Sequence, residues 1–361
     1  MIPNSPSVTR RTAVRVARSV AAAAALTVAI TACATGSTTP AATSGPASYG
    51  AASIQLSWIK NTEFMGEFSA DSQGYYTDAG FDSVDLVSGP PTSVEATVIS
   101  GNVTMGIGNA VSTGTVIASE GAPLKIIGAT YQKNPFSILS LAGNGNIDTL
   151  AALKGKTIGV QASNLNLWEA FLKVNGIKDT DVTTLPVEYD PTPLFNGEVD
   201  GWFAYVTNEA IDAELKGLDP VNLPLADNGL PFVAETFTVT DDAIANDREL
   251  LKALLVAQIR GWTEAIKNPD ASASLAVDTY GKDLGLSLAK EKRQAEIQSA
   301  DLVVSPETTA NGLFTISPAL QKQSVATLAA AGIDVSAAQL FDMTLLDEVY
   351  AENPDLVNYA G

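Results

Sequence analysis

The residues of this sequence that can do chemistry are aromatic, amide and carboxylate side chains rather than imidazoles or thiols. The 361 residues include no histidine and a single cysteine, Cys33. Without histidine there is no Ser-His-Asp triad, no imidazole acid–base catalysis and no ligand set for most zinc sites. We therefore predict no catalytic residue, no bound metal and no cofactor, and the remaining candidate chemistry is non-covalent binding.

The candidate binding residues combine flat aromatic faces with amides and carboxylates. Aromatic faces stack on a flat heterocycle, and amides or carboxylates hydrogen-bond to its edge. Glu95 and Glu209 are the predicted partners of an exocyclic amino group, and Glu63 is a third candidate. The predicted ligand-binding residues are Trp58, Phe64, Glu95, Asn109, Tyr131, Gln132, Asn164, Trp202, Tyr205, Asn208 and Glu209.

Several of these residues also have a purely structural interpretation. Trp58 at a strand end could belong to the core, and Trp202 alternates with Phe203 on a strand, so that one of the two points inward. Glu95 and Glu209 near helix starts could serve only to complement the helix dipole. The sequence leaves these alternatives open.

The charge balance argues against negatively charged partners. The formal net charge is −19 at pH 7, so long-range attraction of an anion and binding of nucleic acid are both disfavoured. Beyond the N-terminal region the only arginines are Arg248, Arg260 and Arg293, which fall on predicted helices rather than strand ends. Lys60 and Lys133 could approach a cleft, although a surface position is the simpler prediction for both.

The N-terminal region has the pattern of an export signal. Four arginines precede a 13-residue apolar run at 20–32, which is too short to span a bilayer as an ordinary helix. Ile30-Thr31-Ala32-Cys33 resembles a bacterial lipobox, in which the cysteine is lipidated. We predict a signal peptide over 1–32, lipidation at Cys33 and a flexible tether over 33–53, which together would anchor the protein to a membrane surface.

The body of the chain alternates strand and helix patterns, which predicts an α/β fold with helices covering parallel sheets. Glycine- and asparagine-rich breaks near residues 143 and 230 divide it into two similar units. We predict two lobes, one formed by 54–142 with 231–361 and the other by 143–230. Ligands of such lobes bind outside the carboxyl ends of the strands, which here means the cleft between the lobes.

Several motifs, in order, resemble the NMT1/THI5-like periplasmic binding proteins, a group related to sulfonate, nitrate and thiamine-precursor receptors. The resemblance covers roughly residues 54–270. The matching stretches are Trp58, Phe64-x-Gly66-x-Phe68-x-Ala70, Gly74-Tyr75-Tyr76-x-x-x-Gly80-Phe81, Gly89-Pro90-Pro91-x-x-x-Glu95, Gly101-x-x-x-x-Gly106, Leu153-Lys154-Gly155-Lys156-Thr157-Ile158-Gly159-Val160, Asn196-Gly197-Glu198-Val199-Asp200 and Thr207-Asn208-Glu209.

The resemblance implies a two-lobed (type II) binding protein, monomeric, that closes around a small molecule and delivers it to an ABC permease and its ATPase. A thiamine pyrimidine precursor is the expected ligand. A riboflavin-type, sulfonate, nitrate or taurine receptor of the same fold is the alternative. The fold also includes a eukaryotic enzyme of pyrimidine synthesis that consumes its own histidine. This sequence has no histidine and lacks that enzyme's cysteine-rich loop, so binding rather than catalysis is expected; a surface sensor is a further alternative.

Overall fold

A computed structural model describes residues 48–359. The predicted signal peptide, Cys33 and most of the predicted tether lie outside these residues. The strands are β1 (Gly50–Gln55), β2 (Phe81–Val87), β3 (Met105–Asn109), β4 (Leu124–Tyr131), β5 (Phe136–Leu141), β6 (Thr157–Gln161), β7 (Thr183–Val187), β8 (Gly201–Tyr205), β9 (Pro220–Pro224) and β10 (Ala234–Thr240).

Fifteen α-helices within these residues surround the strands. They are α1 (Met65–Ser72), α2 (Tyr75–Asp78), α3 (Val94–Ile99), α4 (Ala110–Glu120), α5 (Leu165–Val174), α6 (Thr192–Phe195), α7 (Glu209–Leu215), α8 (Asp241–Asn246), α9 (Arg248–Lys267), α10 (Pro269–Leu275), α11 (Leu288–Gln298), α12 (Pro306–Asn311), α13 (Pro318–Ala330), α14 (Ala337–Leu340) and α15 (Thr344–Glu352). No helix in residues 48–359 is both long and apolar enough to cross a membrane.

The strands form two five-stranded sheets with the same plan. The first sheet has the order β2-β1-β3-β10-β4 and the second has the order β7-β6-β8-β5-β9. In each, three neighbouring strands are parallel, and the fourth runs antiparallel to both of its neighbours. Strands β3, β4 and β5 are almost entirely buried, as expected for sheets covered on both faces. The predicted α/β class, two sheets flanked by helices, is confirmed.

Two predicted boundaries need correction. The first crossing was placed at 142/143, but Phe136–Leu141 pairs with β8 and β9 in the second sheet, so the chain crosses directly after β4. The glycine-rich break that suggested the later position is a turn at the end of β5. At the other end, β1 begins at Gly50 and pairs with β2, so the last predicted tether residues belong to the first sheet.

Two glycines set the close packing of α1 on α9. A Cβ at Gly261 would lie 2.2 Å from the carbonyl oxygen of Gly66, and a Cβ at Gly66 would lie 2.2 Å from the ring of Trp262. The absence of side chains lets the two backbones approach and buries the indole at their crossing. Helix α1 begins just after the loop that follows β1, so this packing also holds that loop in place.

Candidate functional site

A cleft of about 440 Å³, its open mouth included, lies between the two sheets. The first sheet and its loops contribute one wall, and the second sheet contributes the other. The lining residues are Ser57, Trp58, Glu63, Gly108, Asn109 and Glu235 on the first wall, and Phe136, Gln161, Asn164, Phe203, Ala204, Tyr205, Asn208 and Glu209 on the second.

The position of the cleft follows from strand direction. Asn109, Gln161 and Tyr205 are the last residues of the parallel strands β3, β6 and β8, and Ser57 follows β1. The antiparallel strands β5 and β10 begin at the same edges, which brings Phe136 and Glu235 beside them. The carboxyl ends of parallel strands therefore define the site, as predicted for open α/β sheets.

The loop carrying Trp58 is held by a glycine contact. The Gly89 N–H donates to the Trp58 carbonyl oxygen at 2.8 Å. A Cβ at Gly89 would lie 2.3 Å from the Leu56 carbonyl oxygen, so a larger residue would push the two loops apart. The half-buried indole of Trp58 thereby stays at the mouth of the cleft.

The second wall presents a packed group of aromatic rings. Phe136 meets Tyr205 edge to face, with ring centroids 4.5 Å apart, and lies 5.0 Å from Phe203. Such contacts fix ring orientation as well as burying area. The wall gives a flat ligand an apolar face to pack against, opposite the polar groups of the first wall.

Two carboxylates meet at one hydroxyl inside the cleft. The Ser57 hydroxyl lies 3.1 Å from Glu63 Oε1 and 2.9 Å from Glu235 Oε2. The Tyr205 hydroxyl donates to the other oxygen of Glu235 at 2.7 Å, which joins the second sheet to the first. Burial, then the neighbouring Glu235 charge, raises the pKa of Glu63 well above its usual range. Burial likewise raises the pKa of Glu235 to about 7.

A third carboxylate, Glu209, lies at the start of α7. It accepts the backbone N–H of Tyr205 at 2.9 Å and the side-chain amide of Asn208 at 3.1 Å. Burial raises its pKa to about 7 despite these two donors. Lys290 on α11 reaches the same region, where its ammonium donates to Asn208 Oδ1, to Gln294 Oε1 at 2.7 Å and to Glu291 Oε1 at 3.0 Å.

The cleft therefore contains more acceptors than donors and no lysine or arginine in its lining, which is drawn from residues 48–359. Lys60 and Lys133 lie outside it. Arg248 pairs with Glu348 and Arg293 with Glu214, both near the surface, and Arg260 is exposed. Within residues 48–359, no group of three or more acidic, histidine or cysteine side chains is arranged to hold a metal ion.

Six predicted residues are brought together in the lining, namely Trp58, Asn109, Asn164, Tyr205, Asn208 and Glu209. Asn109 also caps α4, because its side-chain oxygen accepts the N–H groups of Val111 and Ser112 at 3.1 and 2.9 Å. Glu95 lies in an adjoining pocket that shares Ser57, Gly108, Asn109 and Asn164 with the cleft. There its carboxylate accepts the hydroxyls of Ser93 and Thr113, each at 3.1 Å.

Four predicted residues lie elsewhere, and for these the prediction is corrected. Phe64 is 1% exposed and packs against Phe68, and Trp202 is fully buried against the backbone of Gly159. Tyr131 is fully buried and donates its hydroxyl to Gln298 at 2.9 Å. Gln132 donates to the carbonyl oxygens of Ala129 and Thr315. In β8 it is Phe203, the neighbour of Trp202, that faces the cleft.

The sequence-based list missed Ser57, Phe136, Gln161, Phe203 and Glu235. Gln161 directly follows a predicted strand, so its position carried a usable signal. Glu235 carried none, because it occupies a bulge in β10 with φ +47°, where the pairing with β3 shifts register; the pairing with β4 shifts only further on, between Thr236 and Thr238. A left-handed backbone is costly for a residue with a side chain, and at this position it turns the carboxylate into the cleft.

Comparisons with known proteins agree with this architecture. The chain is 26% identical over 256 residues to the riboflavin-binding protein RibY of Chloroflexus aurantiacus, covering 66% of this chain and 70% of that protein. It is 26% identical over 253 residues to 4-amino-5-hydroxymethyl-2-methylpyrimidine phosphate synthase of Schizosaccharomyces pombe, covering 65% and 71%.

Among solved structures, the aliphatic sulphonate binding protein SsuA of Escherichia coli superposes with a TM-score of 0.58 at 16% identity, covering 81% of this chain and 92% of that one. At this level of identity the similarity establishes the fold. The family model described as NMT1/THI5 like matches residues 61–272, which is more than half of the chain. This chain therefore belongs to the NMT1/THI5-like family.

Proposed function

We propose that this protein is the extracytoplasmic substrate-binding component of an ABC importer, and that it captures a flat, amino-bearing heterocycle of the thiamine-pyrimidine-precursor type. Family membership and the two-sheet architecture support the transport role. The ligand would bind in the cleft, and its contacts with both walls would favour closure of the two sheets around it. A permease and its ATPase would then be the partners.

The observation that carries the ligand class is the set of three buried carboxylates, Glu63, Glu209 and Glu235, which line the cleft together with aromatic rings and with no lysine or arginine in the lining. Buried carboxylates are unfavourable unless they are paired with positive charge or donors. An aminopyrimidine supplies N–H donors at its edge and a flat face for the wall formed by Phe136, Phe203 and Tyr205. The expected ligand thus supplies the donors that the lining of the cleft lacks.

A riboflavin-type ligand is the second candidate, favoured by the similarity to RibY. Its ring system also fits an aromatic wall, but its pyrimidine edge presents two carbonyl oxygens beside a single N–H, so that acceptors outnumber donors where the carboxylates lie. A sulfonate, nitrate or taurine ligand ranks lower, because an anionic group would meet three carboxylates with no arginine or lysine in the lining.

An enzymatic role in pyrimidine synthesis has the similarity to the yeast synthase in its favour. The sequence has no histidine, however, so chemistry that consumes or uses an imidazole is not available to these 361 residues. A surface sensor with the same ligand chemistry would differ from a transport protein by lacking a permease partner. Uptake of labelled ligand by cells with and without this protein separates these two roles.

We further propose that Cys33 carries a lipid that anchors the monomeric protein to the outer face of the cell membrane. Support comes from the arginine-rich start, the short apolar run and the lipobox-like Ile30-Thr31-Ala32-Cys33. Incorporation of a clickable fatty acid into the wild-type protein, but not into Cys33→Ser, tests this. Equal labelling of both proteins would refute lipidation at Cys33.

Ligand capture is tested by mass spectrometry of small molecules released from the purified protein on denaturation, followed by calorimetry. We expect tight binding of an aminopyrimidine, with weaker or no binding of riboflavin and of an alkanesulfonate. Glu209→Gln should weaken aminopyrimidine binding at least about tenfold, since charge-assisted hydrogen bonds are the stronger ones. Glu169→Gln, an exposed acid on α5, is the matched control. Tight binding of the sulfonate alone would overturn the proposed ligand class.

A further inference from the structure

The two acids that share the Ser57 hydroxyl differ from the other carboxylates of the cleft. Glu63 Oε1 and Glu235 Oε2 each lie within 3.1 Å of the same hydroxyl oxygen, which has only one proton to donate. At any moment one of the two carboxylates therefore lacks this donor. Both side chains are at most 2% exposed, so water cannot replace it easily.

The surroundings offer these two acids no positive charge. The titratable groups that face them are Glu67 on α1, Tyr131 on β4, Tyr205 on β8 and Glu209 on α7. All are acids or phenols. Lys290 on α11, the lysine that reaches the Glu209 end of the cleft, uses its N–H groups on Asn208, Glu291 and Gln294. Two carboxylates that contact the same hydroxyl in a buried site repel each other strongly when both are ionised. Glu63 and Glu235 together therefore favour the state that holds one proton.

The backbone holds Glu235 in this arrangement. Its left-handed conformation in the β10 bulge is sterically costly, and its two oxygens are fixed by one hydroxyl from each wall, Ser57 and Tyr205. Glu63 is held from the other side, because its N–H donates to Asn61 Oδ1 at 3.0 Å. Glu63 and Glu235 thus form a rigid pair of acceptors that one positive charge, from a proton or a ligand, would stabilise.

We propose that Glu63 and Glu235 hold one proton between them in the free cleft and exchange it for a planar cation, an amidinium or protonated amino-heterocycle, when the ligand binds. This deepens the proposed function and rests on it, since it specifies the charge of the captured molecule. In the exchange the proton leaves to solvent, both carboxylates become ionised, and N–H donors of the ligand replace the lost O–H. No covalent bond is formed or broken apart from that O–H bond.

The raised pKa values of both acids are consistent with a proton held near neutral pH. Two consequences follow for a ligand that stays cationic over the whole pH range in which the pair loses its proton. Binding should release close to one proton below the pKa of the pair and progressively less above it. Its affinity should rise about tenfold per pH unit below the pKa of the pair and level off above it.

The test uses benzamidine, a flat cation, and benzamide, its neutral isostere, as probes. Calorimetry at about pH 6, below the pKa of the pair, in two buffers of different ionisation enthalpy measures the protons released. We expect benzamidine to bind wild-type protein with release of about one proton, and benzamide to bind at least about tenfold more weakly. Failure of benzamidine to bind folded protein, binding without proton release, or equal binding of benzamide would each overturn the proposal.

Single-residue variants test whether the released proton comes from Glu63 and Glu235. Glu63→Gln and Glu235→Gln should each reduce proton release and weaken benzamidine binding. Glu67→Gln is the matched control, because Glu67 is equally buried and its pKa is also raised by burial to about 7, yet it lies outside the lining. Undiminished proton release in both pair variants, shown folded by circular dichroism, would contradict the assignment. The released-ligand analysis tests the transport proposal separately, so either can fail alone.

Discussion

Two groups of acidic residues in this protein show opposite electrostatics. The cavity acids, Glu63, Glu209 and Glu235, are buried in the cleft and have raised pKa values. The α9–α15 ion cluster, formed by Arg248, Glu249, Lys252, Glu348 and Glu352, is near the surface and has lysine and arginine partners.

The ion cluster satisfies its own charges. Arg248 contacts Glu348 at 2.7 Å, and Lys252 contacts Glu352 at 2.6 Å. Hydrogen bonding to Arg248 lowers the pKa of Glu348. The cavity acids are left without an equivalent partner, since Lys290 is engaged with Asn208, Glu291 and Gln294. This difference supports the proposal that the cavity acids are arranged to meet a charge or hydrogen-bond donor that a ligand brings.

The largest expected effect is on the pH dependence of unfolding of the ligand-free protein. Glu209 and Glu235 have pKa values of about 7 in the folded state, compared with 4.5 ordinarily. The folded state therefore binds more protons than the unfolded state between these values, and the free energy of unfolding falls as pH rises through that window. Each shift corresponds to about 3 kcal/mol.

Urea denaturation from about pH 5 to about pH 8 measures this loss. General repulsion in a chain of net charge −19 acts in the same direction, so the series should be repeated at high salt, which screens surface charges more than buried ones. A stability that is flat or rises over this range at high salt would show that the cavity acids are not protonated in the folded state.

Loss of the one buried cation near the cavity acids should destabilise the protein next most strongly. Lys290→Met would leave Glu291, which is fully buried, without its partner at 3.0 Å. Breaking a buried ion pair from one side costs about 3 kcal/mol, measured as a lower urea midpoint.

Lys252→Met is the control for that variant, because Lys252 is similarly buried but its acidic partners Glu249, Glu348 and Glu352 reach solvent. Lys252→Met should lower the free energy of unfolding by less than Lys290→Met does. Equal losses in the two variants would remove the distinction between the buried and the surface group.

A stabilising substitution is expected within the cavity acids. Glu235→Gln removes a buried ionisable group, and the hydroxyls of Ser57 and Tyr205 can rotate to suit an amide. We expect a gain of about 2 kcal/mol in the free energy of unfolding near pH 8 and little change near pH 5. Glu169→Gln should change neither value, and destabilisation by Glu235→Gln near pH 8 would contradict this account.

The smallest effect is expected in the α9–α15 ion cluster. Glu348→Gln removes the exposed partner of Arg248, and surface ion pairs contribute little to stability. We expect a small decrease in the urea midpoint that disappears at high salt. A loss comparable to that of Lys290→Met would mean that the surface cluster is as important to stability as the buried one.

Much of the site was accessible from sequence because it lies where strands end. Asn109, Tyr205 and Asn208 follow runs whose periodicity predicts strands, and strand direction then brings them to one edge. Periodicity does not report which face of a fully buried strand meets the cleft. Tyr131 and Trp202 were therefore assigned to the cleft, although both lie in the core, and Phe203 was overlooked.

The α/β class, the two similar units, the exclusion of imidazole chemistry and the shortage of cations near the strand ends all follow from the order and types of the residues. The first crossing between the sheets and the pairing of Glu235 with Ser57, which are 178 positions apart, are visible only in the folded chain. Local patterns record burial and propensity within a few residues. The position of the carboxylate pair depends on a bulge in an antiparallel strand and on contacts between distant segments, which form only once both sheets are assembled.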